Sequence, residues 1–158
     1  MWSLSQGLVL GLTMEKIMQE KISADHLLYV SLKYTKTADV ILNLIARWKS
    51  LIALSFDRIL EKAKKKKLLG KLPTVPKLKI EAVRELFKKD RDILDTVDLY
   101  EFFAVIDKLE KIRENEFRKH ITLKVLYRGV WVDINMDKLK EYRAVLERFI
   151  NRLKLFLL

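Results

Sequence analysis

The chain contains no cysteine. A disulfide scaffold, a thiol nucleophile and a thiolate metal site are therefore excluded. Histidine is nearly as scarce, since His26 and His120 stand far apart, and a histidine-rich metal cage is not expected. We expect no metal and no cofactor. Only four glycines and two prolines occur in 158 residues. So few chain breakers exclude collagen-like, low-complexity and disordered classes, and argue against an all-β fold with many tight turns. Long apolar runs are missing too. Residues 1–12, MWSLSQGLVLGL, are apolar but too short to span a bilayer. They lack the basic n-region and small-residue cleavage site of a secretory signal. We therefore expect a cytoplasmic protein with no membrane partner, in which residues 1–13 are an apolar N-terminal extension or an arm docked on the body.

Half of the residues are hydrophobic and 34% are charged, the balance of one domain with a buried core spanning residues 1–158. The net charge is +11. An excess of this size favours a polyanion or an acidic protein surface as partner. The charge is concentrated. Residues 58–91 hold thirteen lysines and arginines against four acids, which accounts for nine of the eleven excess charges.

Hydrophobic periodicity predicts the elements. From Met14 to Lys67 the pattern is helical, with apolar residues at Leu27, Val30, Tyr34, Ala38, Ile41, Leu44, Ile45, Trp48, Leu51, Ile52, Phe56, Ile59 and Leu60. So long a stretch is expected to kink, near residues 33–37 or 49–50. Lysines followed by Gly70, Pro73 and Pro76 form a helix stop. A short helix is predicted over residues 80–89 and a longer one from residue 95 or 96 to about 118. The period then drops to two: Ile121, Leu123, Val125 and Tyr127 alternate with polar residues, Arg128-Gly129 follows, and Val130, Val132 and Ile134 continue. This reads as a β-hairpin in preference to helix. Asn135 or Asp137 caps a last helix. The predicted fold is mainly α, a bundle of about five helices with one β-hairpin before the C-terminal helix: helical bundle over residues 14–119, hairpin over 120–134 and C-terminal helix over 135–158.

The chain has no P-loop and no nucleophile elbow. One constellation remains. Arg113-Glu-Asn-Glu-Phe-Arg-Lys-His120 sets an arginine seven positions before a histidine. If the helix continues through them, both lie on one side. A histidine can move a proton near neutral pH and an arginine can grip a phosphate with two parallel hydrogen bonds, a combination suited to phosphodiester chemistry. The structural alternatives stay open: His120 as a polar residue between helix and strand, and Arg113 in a partly buried ion pair with a glutamate of a neighbouring helix. Lys62, Lys64, Lys65, Lys66, Lys67 and Lys71 are candidate nucleic-acid contacts, or a solvated helix end. Trp48 and Trp131 read as core or interface anchors.

The R-x(4–6)-H spacing of Arg113 and His120 late in a bundle of long helices resembles the HEPN superfamily. Residues 53–63, with Phe56, Ile59, Leu60 and Ala63 before a Gly/Pro loop and a short helix, resemble the middle of such domains. The likeness runs over residues 22–120. It implies a helical bundle that dimerises and acts as a metal-independent ribonuclease or as a partner of nucleotidyltransferases. Arg113 and His120 would be the catalytic pair. Two functions from different classes follow: an RNA-interacting, HEPN-like protein with ribonuclease activity, and a non-catalytic protein whose lysine-rich region docks an acidic partner or a nucleic-acid backbone. A homodimer is expected in either case, because a hairpin leaves two edges open.

Overall fold

A computed structural model describes residues 4–158, with side chains from Met14 onward. The reading of residues 1–13 as an extension or a docked arm thus falls on side chains outside the described ones. Helix α1 (Leu4–His26) continues as a π-helical stretch (Leu27–Ser31) and a last turn (Leu32–Tyr34). Helices α2 (Ala38–Lys65), α3 (Pro76–Leu86) and α4 (Arg91–Val105) follow, the last ending in a 3-10 turn (Ile106–Lys108). Strands β1 (Lys111–Glu114), β2 (Thr122–Tyr127) and β3 (Val130–Ile134) form an antiparallel sheet in chain order, and helix α5 (Met136–Phe156) comes last. The fold is mainly helical, five helices with a small sheet before the C-terminal helix.

Of the expected kinks only one is present, at residues 35–37, where Thr37 caps α2 by accepting a hydrogen bond from the Val40 amide at 3.4 Å. Through residues 49–50 the helix is unbroken, because its apolar row is continuous there: Trp48, Leu51 and Ile52 are all buried. The π-helical stretch has a packing reason. Ala24, Leu28 and Leu32 are buried at intervals of four. Such a row drifts around a 3.6-residue helix, and a wider turn keeps it facing α2.

The predicted helix over residues 95–118 is corrected. It ends at Val105, and residues 111–114 form β1. The helical spacing of Ile106 and Leu109 continues past the point where the backbone turns extended. A third strand answers a physical need. It pairs with β2 through Arg113↔Leu123 and Ile112↔Lys124 and covers an edge that a lone hairpin would leave open. The sheet therefore spans residues 111–134, not 120–134, and the helical part of the chain stops short of 119. Helix α3 starts at Pro76 and not at residue 80, because proline suits the first helical turn, where no amide donor is needed. The hairpin turn is as expected: Arg128 (φ 52°) and Gly129 (φ 78°) both adopt the left-handed conformation of a type I′ turn.

Aromatic rings join the two halves of the core. Trp48 stacks on Phe103 with centroids 6.1 Å apart, and Tyr142 meets Phe103 edge-on at 5.4 Å. Phe56 meets Phe149 at 6.0 Å. Burial pushes the Tyr142 hydroxyl well above the ordinary tyrosine range, so it stays neutral. Trp131 differs from Trp48: it is 42% exposed, opposite Leu126 on the solvent side of the sheet. No helix among the described residues is long and apolar enough to cross a membrane.

A carboxylate network ties α1 to α5. Asp25 accepts from Lys21 at 3.0 Å and from Arg143 at 2.9 Å, and Glu147 reaches both cations. Burial alone would raise the Asp25 carboxyl; the hydrogen bonds from Arg143 and Lys21 outweigh it and hold the group below its ordinary value of 3.8. A carboxyl depressed in the folded state contributes stability above 3.8 that is lost as pH falls through the folded value. Asp25→Asn is therefore expected to lower the urea midpoint at pH 7, and the gap to wild type should narrow progressively as pH falls below 3.8. A gap that stays constant over that range would contradict this.

Candidate nucleic-acid interface

The two ends of α2 carry the candidate residues. Its 28 residues make a rod about 42 Å long. At the N-terminal end sit the Arg113 and His120 segments; at the C-terminal end sits the lysine run.

Arg113 lies on the edge strand β1 and not on a helix. Its guanidinium bonds Asp39 in the first turn of α2 at 2.9 Å and lies 3.6 Å from Glu116. Glu116 in turn accepts a hydrogen bond from the Ala38 amide at 3.4 Å. Asp39 and Glu116 thus place negative charge on the positive end of the helix dipole, and Arg113 clamps the two together. Hydrogen bonding to Asp39 raises the Arg113 pKa above its ordinary value. The structure contains an ion pair between Arg113 and a neighbouring helix, but the arginine is exposed and its partner on the helix is Asp39, the glutamate Glu116 coming from the loop.

His120 stands beyond the left-handed residues Asn115 (φ 59°) and Phe117 (φ 63°), in the loop between β1 and β2. Its carbonyl accepts from Asn115 at 3.1 Å, and its side chain lines a cleft of about 360 Å³ with Lys36, Lys119, Thr122, Asn135 and Asp137. Arg113 is not among the residues lining that cleft. The two members of the motif therefore have separate surroundings: a carboxylate clamp for one, and for the other a cleft of mixed lining that also includes Leu32, Ile121 and Met136. Among the described residues no group of histidines and carboxylates could hold a metal ion.

The C-terminal end of α2 is different in kind. From Lys62 to Ile80 the chain carries eight lysines and no acid. Leu69 and Leu72 pack on the core and pin the loop that follows α2. Two lysines are engaged with the end of α5 and the residues after it: Lys62 donates to the Leu158 carbonyl at 3.4 Å, and Lys66 donates to that of Phe156 at 3.5 Å while lying 4.7 Å from its ring centre. Lys79 pairs with Asp57 at 2.9 Å. Lys64, Lys67, Lys71 and Lys77 are exposed and make no side-chain hydrogen bond or ion pair among the described residues. Of the six lysines read from the sequence, Lys64, Lys67 and Lys71 present free ammonium groups, and Lys77 joins them. Its place before Lys79 and the absence of acids from 62 to 80 were visible in the sequence.

The helix stop is made by Lys67, not Gly70. Lys67 adopts φ 58°, its amide bonds the Lys64 carbonyl at 3.0 Å, and the Leu68 amide bonds that of Ala63 at 2.9 Å. This is a Schellman ending with lysine at the position where glycine is favoured. No family model, curated protein or solved structure matches the chain.

An L-residue in the left-handed conformation costs about 1 kcal/mol or more. Lys67→Gly is therefore expected to raise stability by about 1 kcal/mol in urea denaturation. A variant no more stable than wild type would show that the lysine carries no conformational cost.

Proposed function

We propose that the protein is a non-catalytic binder of nucleic-acid backbones, held through Lys64, Lys67, Lys71 and Lys77. The observation that carries this reading is the acid-free stretch from Lys62 to Ile80, with four lysines exposed and unpaired. Elsewhere many cations are neutralised: Arg84 pairs with Asp98 and Glu101, Arg91 with Asp95, Arg152 with Asp90. A second observation supports it. Lys67 occupies the glycine-favoured position of the helix end, so a charge stands where conformation alone would select glycine.

Lysine is a compact point charge on a flexible stem. It suits phosphates and reads bases poorly. Binding is therefore electrostatic and indifferent to sequence. With three or four phosphates neutralised, the log–log salt slope on duplex DNA is expected to be roughly −3. Lys64→Ala/Lys67→Ala/Lys71→Ala should flatten that slope and weaken binding uniformly across sequences. Lys67→Gly should bind more weakly while unfolding later. Fluorescence anisotropy with a 5′-labelled duplex measures all three. No binding at about 50 mM salt would overturn the reading, since non-specific contacts persist there.

The HEPN-like ribonuclease reading needs Arg113 to leave both Asp39 and Glu116 before it could meet a phosphate beside His120. The clamp favours the binding role. RNA incubated with wild type or with His120→Ala is expected to remain intact. Cleavage by wild type that disappears in His120→Ala would replace the binding reading with the catalytic one.

A further inference from the structure

At the opposite end of α2 from the lysines, we infer a second site, which takes an unpaired segment of single-stranded RNA by stacking a base on Phe117 beside the His120 cleft. It stands independently of the lysine end. Phe117 is 76% exposed, an unusual place for a phenyl ring. Its backbone is left-handed at φ 63°, a conformation that is an outlier for a bulky residue. That conformation is held from several sides. The Phe117 amide donates to the Lys36 carbonyl at 2.6 Å, Asn115 donates to the His120 carbonyl at 3.1 Å, and Glu116 is fixed on the end of α2. The loop is thus built to hold a ring in water, with no rigidification left to be done on binding.

The surroundings match one kind of ligand. The same junction carries a second exposed ring, Tyr34, 78% accessible and two residues from Lys36. Arg118 and Lys119 follow Phe117 directly, are exposed, and pair with no carboxylate among the described residues. The adjoining cleft of about 360 Å³ has apolar walls from Leu32, Ile121 and Met136, against which a base can lie, and polar groups from His120, Thr122, Asn135 and Asp137 for a base edge and sugar hydroxyls. Asp137 disfavours a phosphate in the cleft itself, which leaves phosphates to Arg118 and Lys119. Rings alternating with unpaired cations bind unpaired strands, because the bases of a duplex are already stacked on each other. An acidic peptide would use the cations but not the rings.

The test uses a labelled six-base oligoadenylate RNA, too short to reach both ends of α2, beside the labelled DNA duplex. Stacking is worth about 1–3 kcal/mol per base, so Phe117→Ala should weaken hexamer binding about tenfold. Tyr34→Ala should weaken it several-fold, and Phe117→Trp should restore wild-type affinity. Duplex binding should change less than about twofold in these variants, and the triple lysine variant should weaken duplex binding several-fold more than hexamer binding, whose single strand carries fewer phosphates at lower charge density. Equal hexamer affinity in wild type and Phe117→Ala, failure of Phe117→Trp to rescue, or no hexamer binding by a wild type that binds duplex would each overturn the second site alone. Loss of duplex binding with hexamer binding intact would overturn the lysine site alone.

Discussion

Burial of one face of α2 is the constraint on which the remaining structure depends. Ile41, Leu44, Ile45, Leu51, Ile52, Ile59 and Leu60 are all almost inaccessible, and they run from one end of the helix to the other. Each buried side chain of this size contributes roughly 1.5–3 kcal/mol. The helix cannot bend or slide without exposing several of them. Its two ends are therefore fixed points on a rigid rod, and whatever chemistry the protein performs is arranged around them.

The ends are electrically opposite, as the helix dipole favours. Glu116 accepts from the Ala38 amide and Asp39 stands in the first turn, while Lys62, Lys64 and Lys65 occupy the last turn. A dipole is satisfied by one or two charges at each end. The N-terminal pair of carboxylates is itself neutralised by Arg113. At the C-terminal end the charge far exceeds that need and continues through a loop held down by Leu69 and Leu72, with Asp57 pairing Lys79. Helix stability explains a few of these lysines. Repulsion among the remainder works against folding, and that cost makes sense when a polyanion is to be held.

Much of the fold was legible in the sequence because it rests on local periodicity. The α2 row, the hairpin around Arg128-Gly129 and the apolar face of α5 all follow from spacing alone. The error at residues 106–118 has a specific origin. Ile106 and Leu109 continue the helical spacing of Phe102, while β1 is fixed by its pairing with β2, a contact that no local window contains. That strand moved Arg113 from a helix face to a sheet edge and separated its surroundings from those of His120. The lysine run was legible as charge. Which lysines are free was not, because that depends on the end of α5 and the residues after it folding back onto Lys62 and Lys66. Phe117 gave no signal, since its exposure follows from a left-handed backbone held by Lys36, some eighty positions away.

Two separated sites on one rigid rod should leave two separate marks. Amide chemical-shift mapping of the isotope-labelled protein resolves them directly. Added duplex DNA should shift the amides of residues 62–77 and leave residues 34–37 and 115–122 in place, and a single-stranded RNA hexamer should shift residues 34–37 and 115–122 more strongly than residues 62–77. Shifts confined to one end with both ligands, or spread evenly over the surface with either, would contradict the account.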